Sequence, residues 1–596
     1  MRPVPPHDDS DLAEGDAPVI SAALGNEPVD LLLTNVRLAN VFTSEVYAAD
    51  IAIRDGRIAA VEEPGTLPRR VAREMLDGEG QLAVPGLVDS HLHIESSLLT
   101  PAPFAEAVLR HGTTTIAEDP HEIANAVGLA GVRRFWQASQ GLPLHIYFLV
   151  PSCVPAAADL ETAQGDMSAV EVADMLRWER VLGLAEVMDA RAVIEQSPRM
   201  SAILAEGRRA GGVIEGHNPL LRGRELNAYI AAGIDSDHTL MTPDLLRQKL
   251  RLGVWVQLQE RYMSEELIAL LRGLPEMPQF CLVTDDVSPD DLEEKGHLDV
   301  VLRRAIALGL PPLAALRAAT IHPARRLRLY DLGAVAPGYR ADIALVDDFE
   351  HFNVSTTICE GQIVVRHGMS CWTAPSQSVL EGLRDSLALT PLTPDVFRVA
   401  APVTDGMVEF LTIVSHTPGT TTEAELVRLA VRDGEPQVAA HEDLCLIAVL
   451  ARGGNSRFVG LLRGLGLRTG AVATSHAHDS HNLAVIGRDQ ESMATAANAV
   501  IETGGGIAVA VGAERRALLP LPIAGVVSDR PLTEVAAQFR AIRGVLHDLG
   551  VDHPHLLMRL STYTLPVSSG LRITDRGLVD AATRTHVPLL PEPALA

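Results

Sequence analysis

Two histidines spaced two residues apart, His91 and His93, end an apolar run that begins at Leu82 and is broken by Pro85 and Gly86. Such a run reads as a buried strand, and its period of two sends both imidazoles to one face. Paired imidazoles at the end of a buried strand are the start of a metal centre. Asp89 and Glu95 flank them, placed to orient the rings or to complete a site. A lone His-X-His also occurs on solvated strand faces, so the decision falls to partners further along the chain.

Those partners must come from elements that recur. Between about Pro85 and Leu332, strand-like runs alternate with amphipathic stretches such as SAVEVADMLRWERV and SEELIALLRGL. The runs are residues 82–88, TTTIAED, LHIYFLVPS, VLGLAEV, GVIEGH, GIDSDH, VWVQLQE and FCLVTDD. Eight strands, each followed by a helix, over about 250 residues predict an α/β fold of the (β/α)8 TIM-barrel type. A doubly wound open sheet competes, but it would carry a Gly-rich phosphate turn after its first strand, where this chain has HLH.

A barrel gathers its chemistry at the C-terminal ends of its strands. Read in order, those ends give His91 and His93 on strand one, then Asp119 with His121 and Glu122 on strand two. Glu186 follows on strand four, His217 on strand five, His238 on strand six, and Asp285 beside Asp286 on strand eight. Nitrogen and oxygen donors without thiolates suit zinc, manganese or ferrous iron. Each residue alone has a plainer reading: a solvated loop charge for Glu186, satisfied core histidines for His217 and His238, and helix capping for Asp285, Asp286, Glu122 and Asn125. Six candidates at the same end of their strands argue for a metal site.

Composition narrows the setting. Lysine and arginine number 50 against 76 aspartates and glutamates, a net charge of −26, which disfavours nucleic acid or an anionic membrane surface as partner. The five cysteines (Cys153, Cys281, Cys359, Cys371 and Cys445) are scattered with no CxxC, which fits a reducing cytoplasm rather than a disulfide framework or a thiolate zinc site. The acidic, Pro-rich start lacks the apolar core of a signal peptide, and no apolar run reaches membrane-spanning length.

The predicted organisation has six parts. Residues 1–28 form a loose tail. Residues 29–84 and 333–370 are two parts of one small β-sandwich, marked by alternating runs and Asp-Gly turns. The barrel, 85–332, is inserted between them. A Ser/Thr/Pro-rich linker, 371–399, leads to a C-terminal α/β domain, 400–596, that contains the cluster SHAHDSHN (Ser475 to Asn482). Its three histidines and aspartate look like a metal loop, or like a polar lid folded over the barrel mouth.

The chain resembles the bacterial adenine deaminase family of the amidohydrolase superfamily. The matching stretches are PGLVDSHLHIESSLLTP, HGTTTIAEDPHEIANAVG, GLAEVMD, IEGHNP, GIDSDHT, TDDVSPDDLEEKGHLD, LGAVAPGYRADI, GLGLRTGAVATSHAHDSHNLAVIG and ALLPLPIAGVVSD. HxH marks only the superfamily, whereas DPHEIAN, GHNPLLRG and HDSHN are more selective. Hydantoinase-like members bridge two metals with a carbamylated strand-four lysine, and this chain offers Glu186 there.

The resemblance implies two divalent ions per subunit, manganese or ferrous iron in preference to zinc. His91 and His93 would hold one, His217 and His238 the other, with Glu186 bridging and Asp285 completing the first. It also implies the chemistry: attack of an activated water on C6 of adenine, giving hypoxanthine and ammonia. Asp285 would handle the water's proton, and Glu186 and His121 complete the catalytic set. Glu95, Asp119 and Glu122 at the pocket rim would recognise the base, with His478 and His481 lining the pocket from the C-terminal domain. The expected assembly is a homodimer. The alternatives are a cyclic amide or another aminopurine as substrate, or a catalytically silent metal-binding relative.

Overall fold

The computed structural model describes residues 17–67, 72–416 and 419–591. Eight parallel strands follow one another as Leu87–Leu92, Thr113–Glu118, His145–Val150, Val181–Val187, Val213–Gly216, Ser236–Asp237, Trp255–Leu258 and Cys281–Leu282. The first five form one ladder and the last three another. Asp235 N donates to Ile214 O at 3.0 Å to join the ladders, and a bridge between Leu92 and Asp285 closes the ring. This is the eight-stranded barrel, closed by strand ends that carry site residues.

Local chemistry sets the helices between the strands. Ser168 and Glu171 form a reciprocal capping box at the start of Ala169–Met175. Thr242 caps Pro243–Arg251, where proline occupies a first-turn position that needs no N–H. That helix buries Leu245 and Leu246 against the barrel, and with them Lys249, whose Nζ lies 3.0 Å from Asp237 Oδ2.

Residues 82–88 do not form one strand. Leu82–Pro85 belongs to a nine-stranded sheet shared by the segments before and after the barrel, and the chain crosses into the barrel at Gly86. Within that sheet, Leu82–Pro85 pairs antiparallel with Ile343–Val346 and parallel with Val29–Asn40. The crossing needs glycine because a Cβ at position 86 would lie 2.2 Å from Thr114 Oγ1.

Two segments expected to be loose are packed. Of the predicted tail, residues 1–16 lie outside the described residues, but Ala17–Ala23 is a helix that buries Val19 and Ala22. These two side chains join Val29, Leu32, Ala52 and Ala59 in one apolar cluster, which outweighs the polar flanks. In the linker, Leu380, Leu383, Leu387 and Phe397 are buried, and Arg134 Nη1 donates to Val379 O at 2.9 Å.

The C-terminal region is built on a second nine-stranded sheet covered by the helices Gln490–Glu502 and Leu532–Asp548, with a small three-stranded sheet at its end. One apolar cluster runs from the barrel residues Leu98, Leu99 and Phe104 into Val526, Val535 and Phe539. No helix among the described residues is long and apolar enough to cross a membrane.

Substituting Gly86→Ala should lower the thermal unfolding midpoint, with a cost of about 1–3 kcal/mol from overpacking against Thr114. Adding Thr114→Ala to it should recover part of that loss in calorimetry. An unchanged midpoint in Gly86→Ala would show that the crossing tolerates a side chain.

Candidate active site and metal centre

The six expected metal ligands, His91, His93, Glu186, His217, His238 and Asp285, meet at one face of the barrel. Glu186 is the hub. Its Oε2 lies 2.5 Å from His217 Nδ1 and 3.1 Å from His238 Nε2. Its Oε1 faces the other side, 4.0 Å from His93 Nε2 and 3.8 Å from His121 Nδ1. Asp285 Oδ1 lies 3.3 Å from His93 Nε2 and 3.7 Å from His91 Nε2. The set therefore divides into His91, His93 and Asp285 on one side and His217 and His238 on the other, with one carboxylate between.

The orientation of the rings supports metal ligation. His93 Nδ1 is 3.0 Å from Asp119 O, a carbonyl that can only accept, so Nε2 carries the lone pair towards the centre. His91 Nε2 is buried there without a hydrogen-bond partner. Neutral imidazoles and carboxylates at this spacing fit a divalent cation. His217, 36% exposed, is the open side of the group, whereas the other five are nearly or fully buried.

Asp285 is held from behind. Gln259 Nε2 donates to its Oδ2 at 2.6 Å and to His238 O at 2.9 Å, and Arg261 Nη2 donates to the same Oδ2 at 2.5 Å. Burial works against the Asp285 charge, but the Arg261 guanidinium and the neighbouring imidazoles hold its carboxyl well below the usual range. Its φ of 59° is left-handed, a conformation rare outside glycine, and Asp285 N is tied to His91 O at 3.2 Å. Sequence reasoning missed Gln259 and Arg261, although Gln259 directly follows strand seven and Arg261 lies two residues beyond it, the spacing of His91 and His93.

The acids expected at the rim, Glu95, Asp119 and Glu122, are all buried instead. Glu95 Oε1 accepts from Ile123 N at 3.3 Å, and its carboxyl lies beside Glu118. Burial and then Glu95 push the Glu118 carboxyl well above its ordinary range. Asp119 Oδ2 lies 3.4 Å from His121 Nδ1. Glu122 Oε1 lies 3.1 Å from Ser96 Oγ, which is also 2.6 Å from Asp286 Oδ1. One hydroxyl proton cannot serve both acids; a proton on Glu122 satisfies the arrangement. Burial first, and Glu95 next, raise the Glu122 carboxyl well above the usual range in the same sense.

The SHAHDSHN loop joins this site from the C-terminal sheet, between strands Ala471–Thr474 and Leu483–Gly487. Its residues from Ser475 to Asn482 are buried over the barrel. His476 Nδ1, His481 Nε2 and His478 Nδ1 lie 3.4, 3.7 and 3.9 Å from the Glu122 carboxylate oxygens, and Asp479 Oδ1 lies 3.8 Å from His121 Nε2. Glu122, His476 and His481 are close enough to share a cation. However, His481 Nδ1 accepts from Ala477 N at 3.3 Å, which puts the ring proton on Nε2, facing Glu122 as a donor. The loop therefore reads as a roof.

Arg452 pins that roof. Its fully buried guanidinium donates to His481 O at 2.8 Å, to Ser386 Oγ at 2.8 Å and to Ala524 O at 2.5 Å, while its N–H donates to Asn482 Oδ1 at 2.9 Å. Below the roof, a cavity of about 100 Å³ extends from Ser96, Asp286 and His476 past Arg261 and Arg543 to His555 and Met558, between barrel and C-terminal domain.

Two family models match the chain. The amidohydrolase family covers residues 82–364 and the adenine deaminase C-terminal domain covers residues 419–585. The chain is 42% identical over 575 residues to an adenine deaminase 2 of Rhizobium meliloti, covering 95% of each. It is 40% identical over 580 residues to an adenine deaminase of Oleidesulfovibrio alaskensis, covering 96% of this chain and 98% of the relative. Among solved structures it is similar to an adenosine deaminase from Xanthomonas campestris with bound zinc, at 17% identity and a TM-score of 0.43, over 60% of this chain and 97% of that one. With both halves matched and near-complete coverage of these relatives, the chain belongs to the adenine deaminase family of amidohydrolases.

Proposed function

We propose that this protein is an adenine deaminase: adenine and water give hypoxanthine and ammonia. The observation that carries the reading is the division of Glu186 between two histidine groups beside Asp285, under a roof supplied by the C-terminal domain. His91, His93 and Asp285 would hold one divalent ion, His217 and His238 a second, and Glu186 both; manganese or ferrous iron suits this donor set, as does zinc. Bound there, such ions supply the Lewis acidity that makes water nucleophilic near neutral pH.

The residues of the chain handle the protons. Asp285 has Oδ1 facing the centre and Oδ2 occupied by Gln259 and Arg261, so Oδ1 takes the proton of the attacking water as oxygen bonds to C6. Glu122, holding its proton, delivers it to a ring nitrogen of the purine, which breaks the aromaticity that resists attack. Asp285 passes its proton to the amino group, the C6–N bond breaks and ammonia leaves. The C6 hydroxyl then returns its proton to Glu122 as the carbonyl forms. Asp119 and Asp479 fix the His121 ring on either side, while His478 and His481 close the pocket above Glu122. Burial, and after it Glu95, raise the Glu122 carboxyl and so favour its protonated form. Excluding water strengthens each of these interactions.

Ammonia release from adenine by the manganese-loaded protein tests the activity. Adenine should be turned over far faster than adenosine; comparable rates, or ammonia from neither, would reject the free-base reading.

Glu186→Gln should keep the fold but reduce bound metal and lower turnover by on the order of 100-fold or more. Full metal content with wild-type turnover in that variant would remove Glu186 from the centre.

For Glu122→Gln, the expectation is wild-type metal content with kcat lowered about 10²–10⁴-fold, the usual contribution of a general acid. Loss of metal in parallel with kcat would instead make Glu122 part of a cation site.

A further inference from the structure

The interior of a (β/α)8 barrel is ordinarily filled by branched apolar side chains. Here a line of charges crosses it. Asp235, at the opening of strand six, is 37% exposed, and its Oδ1 lies 3.0 Å from Arg326 Nη2. Arg326 Nη1 lies 2.7 Å from Glu215 Oε1, and Glu215 Oε2 lies 3.1 Å from His91 Nδ1. His91 and Glu215 are fully buried and Arg326 is 3% exposed. The His91–Glu215 and Glu215–Arg326 contacts have the distances of ion pairs without the alignment of ideal hydrogen bonds. Arg326 comes from the helix Ile321–Arg326, which follows the last barrel strand.

Stability does not explain this line. Burying an arginine and a glutamate costs several kcal/mol per ion, and apolar residues of similar volume would often serve the fold as well. The geometry at His91 offers another reason. With a carboxylate at Nδ1, that nitrogen keeps the ring proton and Nε2 presents its lone pair to the centre shared with His93 and Asp285. The His91 ring also stacks on that of His238, with centroids 3.8 Å apart, so the carboxylate that fixes one ring steadies the other.

We propose that Glu215 and Arg326 are positioning residues of the metal centre: Glu215 orients His91, and Arg326 orients Glu215 and balances its charge. This rests on the reading of His91 as a ligand.

The test uses the full-length protein, stripped of metal and titrated with Mn²⁺ while free ion is followed by electron paramagnetic resonance. Glu215→Gln should weaken Mn²⁺ binding about 10–100-fold, the usual cost of losing such a partner, with the number of ions at saturation unchanged. Because Glu215→Gln takes from the buried Arg326 one of its two carboxylate partners and can fail to fold, the double variant Glu215→Gln with Arg326→Met, which removes both buried charges, is measured beside it. That pair should keep the wild-type thermal midpoint and still bind Mn²⁺ 10–100-fold more weakly. Wild-type affinity in the folded pair would overturn the proposal, because the charges would then be structural only. Loss of one ion at saturation in Glu215→Gln would overturn it as well, by making Glu215 a ligand. His91→Ala separates the underlying reading: it should lose an ion at saturation, and full, tight loading there would show that His91 is no ligand at all.

Discussion

Glu186 is the interaction on which the rest of the site depends. A carboxylate buried in a protein normally takes up a proton, because its charge is poorly solvated there. Glu186 escapes this by facing imidazoles with each of its oxygens, and Asp285 escapes it through Arg261 and Gln259. Around them stand further buried acids: Glu95 beside Glu118, and Asp119 and Glu122 beside histidines. A cavity of this composition ties cation binding to folding, since ions that bind only the assembled set stabilise it by mass action.

The C-terminal domain is bound into that arrangement. The apolar cluster beneath the first barrel helix continues into Val526, Val535 and Phe539, and Thr100 N donates to Ser528 O at 3.0 Å. Its SHAHDSHN loop then places polar groups against Glu122 and His121, where a bare barrel would admit water. Packing in one part of the molecule therefore shapes the surroundings of acids in another. Removing the domain would expose much of the shared core, so its contribution is better dissected one side chain at a time.

Much of the site could be read from spacing. His91 and His93 share a face because a strand has a period of two, and the remaining ligands stand at successive strand ends, where a barrel exposes its chemistry. The same logic contained Glu215, two residues before His217, and Gln259, which directly follows strand seven; Arg261 lies in the short helical turn Glu260–Tyr262 beyond it. Arg326 had no such signal: it lies beyond the last strand, in IHPARRLRLY, and reaches Glu215 only because the barrel closes. The burial of Glu95 likewise had no signal in strand alternation, because Glu95 lies past the strand in the short helical turn Ile94–Ser97, all four residues of which are buried. The helix at Ala17–Ala23 was hidden because two small apolar residues, Val19 and Ala22, find their partners on strands further along the chain.

Arg452 bears on the traffic of small molecules. Its guanidinium holds the roof through backbone carbonyls and a serine hydroxyl, none of which changes charge in the reaction, and Thr564 Oγ1 adds a hold on His478 O at 2.7 Å. A cover fastened in this way is a ceiling without a hinge. A way towards the histidines runs instead along the seam between barrel and C-terminal domain, from Met558 and His555 inward to Asp286. The lining of that seam sets Glu260, Asp286 and Asp291 against Arg261, Lys295 and Arg543, so it favours neither sign of charge and suits a neutral molecule.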